Sequence, residues 1–100
     1  MTIAIDIDGT FDRDPLFWQT IMHHARLSGH DVIVVTGAKQ PADKLTRLGI
    51  PANVPVLVSA GEFKRGTAQR HGYSVDIWID NEPGTIEPAK ILASANNDSL

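Results

Sequence analysis

Apolar and polar residues follow one another along this chain in a pattern that predicts four strands separated by helices. Apolar runs rich in β-branched residues predict strands at residues 3–7, 32–35, 54–58 and 77–79. The segments between them repeat apolar residues at helical spacing. Short strands that alternate with helices favour parallel pairing. Two parallel strands need a connection that returns to the end at which the previous strand began, and a helix provides it. We therefore expect an α/β fold, with a parallel sheet of about four strands and helices on both faces.

The first predicted helix is bounded by recognisable capping residues. Asp14-Pro15 predicts an N-cap followed by a proline in the first turn, and Ser28-Gly29 predicts the end of the helix. The apolar residues that repeat at helical spacing within it are Phe17, Ile21 and Ala25, with Trp18 and Met22 alongside.

Two shorter helices and an edge strand complete the pattern. Gln40-Pro41 predicts the start of the second helix, from which Leu45 and Leu48 face the core, and residues 62–71 predict the third. Pro55 has no backbone N–H to donate, so the third strand is expected at a sheet edge, or to begin at this proline.

Composition restricts the chain to a single ordinary globular domain. One hundred residues, 42% hydrophobic and 21% charged, suit one domain at residues 1–95 with a polar tail at 96–100. No apolar run is long enough to cross a membrane and no basic leader is present, so we expect no membrane partner and a cytoplasmic location. The absence of cysteine excludes disulfides, cysteine nucleophiles and thiolate metal sites. A net charge of −3 with scattered Lys and Arg residues argues against a dedicated nucleic-acid surface.

Two carboxylates follow the first predicted strand, just before a glycine turn. Asp6 and Asp8 are two residues apart, which in an extended backbone places both side chains on one side. Thr36-Gly37 and Asp80 follow the second and fourth strands, and the carboxyl ends of parallel strands meet at the edge where such sheets bind ligands. We expect these residues to converge on one pocket. Of two neighbouring acids there, one can stay ionised while the other, its pKa raised by its neighbour, holds a proton.

The same residues also have plain structural explanations. The segments at residues 6–9 and 80–84 can be simple turns, Thr36-Gly37 can be an ordinary exit from a strand, and Lys64 can be a solvated helical charge. Their occurrence together, in order and at strand ends, favours the functional interpretation.

In this order the residues resemble the four motifs of the haloacid dehalogenase superfamily, specifically those of its phosphatases. The similarity covers nearly the whole chain and suggests a small member of a Rossmann-like, three-layer fold. The matching positions are Asp6-Ile7-Asp8-Gly9-Thr10 for the first motif, Thr36-Gly37 for the second, Lys64 for the third and Asp80 for the fourth.

The resemblance implies a role for each of these residues. Asp6 would attack phosphorus and form an aspartyl-phosphate, and Asp8 would act as general acid and then general base. Thr36, with the amide of Gly37, would hydrogen-bond the phosphoryl oxygens, and Lys64 would neutralise charge in the site. Gly9, Thr36, Gly37 and Lys64 are the substrate-binding positions that the resemblance suggests.

The resemblance also implies a magnesium ion as cofactor. Asp6, Asp80 and the backbone carbonyl of Asp8 would hold Mg²⁺, a hard ion that prefers oxygen ligands. Many members carry a second aspartate directly after the metal-binding one, where this chain has Asn81, followed by Glu82. An amide can still bind a metal or orient a metal-bound water, so this departure concerns the affinity for magnesium.

No cap domain is expected above the site. Only residues 11–15 separate the first strand from its helix, and only residues 59–63 lie between the third strand and Lys64. An open site suits a phosphate on a macromolecule, or a small phosphate ester if a second copy of the chain covers the pocket in a homo-oligomer. The sequence does not choose between these substrates.

Two other hypotheses use the same fold. One is a non-catalytic module that binds metal or phosphate for regulation, which Asn81 favours and the presence of both Asp6 and Asp8 disfavours. The other is a phosphoryl-accepting receiver domain. In a receiver domain the phosphorylated aspartate follows the third strand, and here that position is occupied by Ser59-Ala60.

Overall fold

Four short parallel strands form the sheet, in a computed structural model that describes residues 1–89. The order of the strands across the sheet is β3-β2-β1-β4, so β3 and β4 are the edge strands. The predicted fold class, a parallel α/β sheet of four strands with helices on both faces, is confirmed. The predicted tail at residues 96–100 lies outside the described residues. The strands are β1 (Thr2–Ile5), β2 (Asp31–Thr36), β3 (Val56–Val58) and β4 (Ile77–Ile79).

The two central strands are apolar because both faces of the sheet are covered. In β1, Ile3 and Ile5 point to one face while Ala4 points to the other, and all three are buried. This explains why β2 reads as a continuous apolar run rather than an alternating one. Neighbouring strands are in register, with Ile5 opposite both Val34 and Ile79.

Three helices cover the sheet, two on one face and one on the other. The side chain of Asp14 caps the first helix by accepting a hydrogen bond from the backbone N–H of Phe17 at 3.4 Å, as predicted. Met22 of the first helix and Leu48, which directly follows the second, pack in the larger core cluster, and Ala68 of the third helix packs in the smaller one. The helices are α1 (Pro15–Leu27), α2 (Ala42–Arg47) and α3 (Lys64–Arg70).

The buried stripe of α1 is displaced by one residue from the stripe that begins at Phe17. Met22 is 1% exposed and Trp18 packs against the core, whereas Phe17 is 51% exposed. Of the apolar residues that repeat along α1, the core therefore takes Trp18, Met22 and Ala25 rather than Phe17. Both stripes include Ala25 and fit a helical period, and the packing of the helix on the sheet selects between them.

The boundaries of the other elements agree with the sequence to within two residues. The third helix begins at Lys64 rather than at Glu62, so Phe63 lies just before it and is 47% exposed. Strand β3 begins directly after Pro55 and lies at an edge of the sheet, as the proline predicts.

The strand order creates a crevice next to β1. The first two crossovers run from β1 to β2 and from β2 to β3, whereas the third passes from β3 to β4 on the far side of β1. Open parallel sheets bind ligands outside the carboxyl ends of the strands, at such a reversal. Within residues 1–89, neither the connection from β1 to α1 nor the connection from β3 to α3 contains a cap domain. None of the helices in this part of the chain has the length and apolar character needed to cross a membrane.

Candidate active site

A pocket of about 430 Å³ lies at the carboxyl ends of the strands. Asp6 and Asp8, which follow β1, line this pocket together with Gly37, which follows β2, and Lys64 at the start of α3. The topology thus brings residues from distant parts of the sequence to one edge of the sheet, as the strand pattern predicts.

At the base of this pocket a buried lysine lies between two buried aspartates. Lys64 Nζ donates to Asp6 Oδ1 at 2.8 Å and to Asp80 Oδ2 at 2.7 Å, and all three side chains are almost completely inaccessible to solvent. The two aspartates are adjacent because Ile5 and Ile79, which precede them, are paired across β1 and β4. Lys64 comes from α3, which packs on the opposite face of the sheet from α1 and α2.

One cation shared by two buried acids leaves a net charge of −1 on this cluster. Burial raises the pKa of Asp6, and the neighbouring Asp80 adds to this, while Lys64 opposes it. Burial alone would lower the pKa of Lys64, but the hydrogen bonds to Asp6 and Asp80 outweigh it and the pKa is raised. Lys64 is therefore a firmly held ammonium, and the remaining negative charge can attract a further cation.

Asp8 has quite different surroundings, even though it is only two residues from Asp6. Its side chain is 55% exposed, and its two oxygens accept hydrogen bonds from Lys44 Nζ at 2.9 Å and Gln40 Nε2 at 3.0 Å. The hydrogen bond from Lys44 lowers the pKa of Asp8. Of the two neighbouring acids, Asp6 is therefore the one with the raised pKa, and its cause is chiefly burial rather than pairing with Asp8, because β1 ends at Ile5 and the two carboxylates turn to different partners.

Thr36 lies behind the pocket rather than in its wall. Its side chain is fully buried, and its hydroxyl donates to the carbonyl of Ala38 at 3.4 Å and accepts from Gln40 Nε2 at 3.3 Å. Gly37, by contrast, is exposed and lines the pocket. Of the two positions of this motif, the glycine is therefore the one that a ligand can reach, and Thr36 is linked to Asp8 through Gln40.

Gly9 is required by the tight packing of the turn after Asp8. Its φ is +87°, which disfavours other residues, and a Cβ at this position would lie 2.8 Å from Cγ of Asn81. Thr10 completes the contact, because its hydroxyl accepts from the backbone N–H of Asn81 at 3.2 Å and lies 3.4 Å from Asp6 Oδ2. Gly9 thus brings the chain after β4 against the chain after β1.

The side-chain amide of Asn81 reaches the oxygens expected to bind magnesium. One of its terminal atoms lies 2.9 Å from Asp6 Oδ2 and 3.1 Å from the carbonyl oxygen of Asp8. If that atom is the nitrogen, it donates to both oxygens. If it is the oxygen, three oxygens converge, an arrangement that a hard cation stabilises. The nitrogen assignment satisfies both oxygens by hydrogen bonds, so Asn81 would have to turn its amide oxygen inward to become a ligand. The Asp6 carboxylate and the Asp8 carbonyl are hard oxygen donors of the kind that Mg²⁺ prefers.

Asp80 is less available to a metal than the sequence suggests. Its Oδ2 accepts from Lys64, and its Oδ1 accepts from the backbone N–H of Glu82 at 2.8 Å. Within residues 1–89 no three His, Asp or Glu side chains form a group that could hold a metal ion. A magnesium ion here would therefore rest mainly on Asp6, the Asp8 carbonyl and Asn81.

Sequence reasoning missed several residues that shape the site. These are Thr10, Gln40 and Lys44, which contact the two carboxylates, and Glu62 and Phe63, which line the pocket. For Thr10, Glu62 and Phe63 a usable signal existed, since they lie on the segments that follow β1 and β3 and therefore at the same edge of the sheet. Gln40 and Lys44, in a loop and in α2, carried no such signal. At the end of β3, where a receiver domain would need its aspartate, the structure has Ser59, whose hydroxyl donates to the carbonyl of Thr36 at 3.4 Å.

Comparisons with known proteins give no relative for this chain: no family model, no curated protein and no solved structure matches it.

Proposed function

We propose that this protein is a magnesium-dependent phosphohydrolase that cleaves phosphate monoesters through an aspartyl-phosphate on Asp6, like the haloacid dehalogenase phosphatases that its sequence resembles. The strongest support is the Lys64 ammonium held between Asp6 and Asp80 at the base of an open pocket. A buried lysine bound to the attacking carboxylate beside a pocket favours attack on a phosphate, because it offsets part of the negative charge of the nucleophile.

Asp6 is the nucleophile of this proposal. Its Oδ1 is held by Lys64, and its Oδ2 faces the corner formed by Thr10 and Asn81. Attack forms a bond between a carboxylate oxygen and phosphorus while the bond from phosphorus to the leaving oxygen breaks, and the leaving oxygen keeps the electron pair. Because both Asp6 and Lys64 are fixed by burial, the nucleophile is oriented before the substrate arrives.

Asp8 is the proton carrier. In the free protein Lys44 keeps it ionised. This form accepts a proton from the water that hydrolyses the aspartyl-phosphate. To protonate the leaving oxygen in the first step, Asp8 must take up a proton as substrate enters, so the contact with Lys44 opposes the first step and favours the second.

Magnesium, when bound to Asp6, the carbonyl of Asp8 and Asn81, would supply positive charge that lets an anionic carboxylate approach an anionic phosphate. The protein's own residues supply the remainder. Lys64 offsets the charge of the cluster, and the exposed backbone of Gly37 is available to the phosphoryl oxygens.

One observation favours a second candidate, a non-catalytic module of the same fold that binds magnesium or phosphate. Both oxygens of Asp8 are occupied by Lys44 and Gln40, and both oxygens of Asp80 by Lys64 and the N–H of Glu82. A site whose acids are satisfied in this way can hold an ion without performing chemistry.

The experiment that tests the enzyme is hydrolysis of phenyl phosphate by the wild-type protein and by Asp6→Asn, with magnesium or with EDTA. We expect magnesium-dependent turnover in the wild type and a loss of about a thousandfold or more in Asp6→Asn, because an amide is a poor nucleophile. Mass spectrometry of acid-quenched wild-type protein should also detect one phosphoryl group on the peptide that contains Asp6.

Asp31→Asn is the matched control, since Asp31 is exposed at the opposite edge of the sheet, at the start of β2. It removes the same charge and should keep full activity. Full activity in Asp6→Asn would remove Asp6 from the mechanism. Magnesium and phosphate binding by calorimetry, without turnover of any phosphate ester, would favour the non-catalytic module instead.

A further inference from the structure

The walls of the pocket carry more negative than positive charge above the Asp6–Lys64 pair. Glu62 and Glu82 line the pocket and are exposed, and within this lining Lys64 is the one basic residue. Lys64 is already bound by Asp6 and Asp80. A ligand therefore passes two exposed carboxylates before it reaches the base of the pocket.

The two glutamates differ in how far their charge is compensated. Glu62 pairs with Arg70 and also accepts from the Thr67 hydroxyl at 3.1 Å, and the contact with Arg70 lowers its pKa. Glu82 forms no ion pair with any residue in the described part of the chain. Glu82 is thus the clearest source of uncompensated negative charge in the pocket wall.

Phe63 adds an apolar surface to the same wall. It is 47% exposed, directly precedes Lys64, and lines both this pocket and a shallow groove beside α3. Because Lys64 is anchored by two ion pairs, the backbone before it is fixed and Phe63 is held where a ligand enters. An exposed aromatic ring in a pocket is a contact surface for an apolar group.

We infer that the pocket takes a phosphate monoester whose leaving group carries no negative charge of its own and places an apolar face against Phe63. The phosphate would lie at the Asp6–Lys64 end, and the leaving group would lie between Phe63 and Glu82. Like charges brought together in a recessed site repel more strongly than in open water, so Glu82 disfavours polyanionic esters. This assignment rests on the proposed function, and it selects a small uncharged or cationic ester over the phosphorylated end of a nucleic acid.

The test uses two esters that differ in one remote charge, phenyl phosphate and 4-(carboxymethyl)phenyl phosphate. We expect kcat/KM for the carboxylate-bearing ester to be lower by about tenfold at low ionic strength. Glu82→Gln should reduce the ratio of kcat/KM between the two esters severalfold. Asp31→Asn, which makes the same change of charge at the far edge of the sheet, should leave this ratio unchanged.

A second comparison tests the apolar contact. Phe63→Ala should raise KM for phenyl phosphate severalfold and leave KM for glycerol 2-phosphate unchanged, whereas Phe63→Leu should retain most of the wild-type preference. Equal efficiency for the two aryl esters, or a ratio that Glu82→Gln does not alter, would overturn the charge assignment. Better turnover of a 5′-phosphorylated dinucleotide than of phenyl phosphate would point to nucleic-acid ends instead.

Binding separates this inference from the proposed function. Calorimetry on the wild type with magnesium and the methylene phosphonate analogues of the two aryl esters, which cannot be hydrolysed, measures the affinity for both without turnover. If the uncharged ester binds more tightly but the wild type hydrolyses neither ester, the enzyme proposal fails and the selectivity stands. If the wild type hydrolyses both esters equally well, the selectivity fails and the enzyme stands. If neither ester binds nor is hydrolysed, both fail.

Discussion

Asp6 and Asp8 are two residues apart in the sequence, yet the structure gives them opposite electrostatic surroundings. Asp6 is buried beside Lys64 and has a raised pKa, whereas Asp8 is exposed beside Lys44 and has a lowered pKa. The difference arises because burial raises the pKa of Asp6 against the opposing effect of Lys64, whereas the hydrogen bond from Lys44 lowers the pKa of the exposed Asp8. At the scale of single residues, the chemistry of this turn is set by the unequal burial of its two acids together with the lysines that reach it from α2 and α3.

The lowered pKa of Asp8 predicts a pH-dependent contribution of Lys44 to stability. Asp8 has a pKa of about 3.9 in an unfolded chain. Because its pKa in the folded protein is lower, the ion pair stabilises the fold above that value, and the contribution is lost as the pH falls through the folded-state pKa. Lys44→Met should therefore reduce the free energy of unfolding at neutral pH, by about 1 kcal/mol or less since the pair is partly exposed.

The measurement is urea denaturation in EDTA at about pH 7 and at about pH 3, above and below the pKa of about 3.9 that an aspartate has in an unfolded chain. Lys39→Met is the matched control, because Lys39 is an exposed lysine between β2 and α2. The free energies of unfolding of the wild type and Lys44→Met should differ at neutral pH and become equal in acid. The difference between the wild type and Lys39→Met should not change with pH in this way. A difference that persists unchanged at about pH 3 would show that Lys44 acts through packing rather than through Asp8.

At the scale of elements, the orientation of α1 makes a second prediction. Met22 is buried in the larger core cluster, whereas Phe17 is about half exposed and packs edge-to-face on Trp18 with ring centroids 4.9 Å apart. Met22→Ala should lower the free energy of unfolding by about 2–5 kcal/mol, because it leaves a cavity. Phe17→Ala should cost about 1 kcal/mol, the contribution of one aromatic contact.

Urea denaturation followed by circular dichroism measures both changes. If Met22→Ala is too unstable to purify, Met22→Leu, which nearly conserves volume, should fold and lose less than about 1.5 kcal/mol. A larger loss for Phe17→Ala than for Met22→Ala would mean that the helix packs with the stripe that the sequence pattern suggested.

The elements themselves were largely predictable, and the exception has a physical cause. Strong local signals, such as the β-branched run of β2 and the Asp14-Pro15 cap, mark the strands and the first helix. The face of α1 was not predictable, because Phe17 and Trp18 are adjacent and both begin a stripe of helical period. Only packing against the sheet distinguishes such stripes, and packing is not a local property.

The site was predictable to the extent that topology determines it. Strand ends and helix starts place Asp6, Asp80 and Lys64 together, and the structure shows the contacts between them. The partners of Asp8 were not predictable, because Gln40 and Lys44 are ordinary polar residues of a loop and a short helix. Their role depends on the angle at which α2 leaves the sheet.

At the scale of the whole molecule, the sheet edge concentrates acids that repel one another unless a cation is present. Asp6, Asp80 and Asp8 all lie at this edge, against Lys64 and Lys44. Asn81 adds an amide at the point where Asp6 Oδ2 approaches the carbonyl of Asp8. An amide can serve this corner in two ways, because its nitrogen can donate to both oxygens or its oxygen can face a cation.

This dual capacity predicts opposite effects of Asn81→Asp with and without magnesium. A carboxylate has no N–H to donate, so in EDTA the variant places a third acid beside Asp6 and should melt several degrees below the wild type, since about 1 kcal/mol shifts Tm by roughly 4–8 °C in a domain of this size. With millimolar magnesium the added charge strengthens metal binding, and a ligand that binds only the folded state raises its stability. The variant should then melt above the wild type.

Thermal unfolding followed by circular dichroism measures this crossover independently of turnover. Asn53→Asp makes the same chemical change at an exposed position just before Val54, away from the pocket that Asp6 lines, and its Tm should respond to magnesium as the wild type does. Asp6→Asn should abolish most of the magnesium-dependent rise, because it removes the carboxylate that the cation needs. If Asn81→Asp melts at the same temperature with and without magnesium, the corner between Asp6, Asp8 and Asn81 is not the metal site. Lys64 and Lys44 would then offset the charge of the acids at this edge without a metal ion.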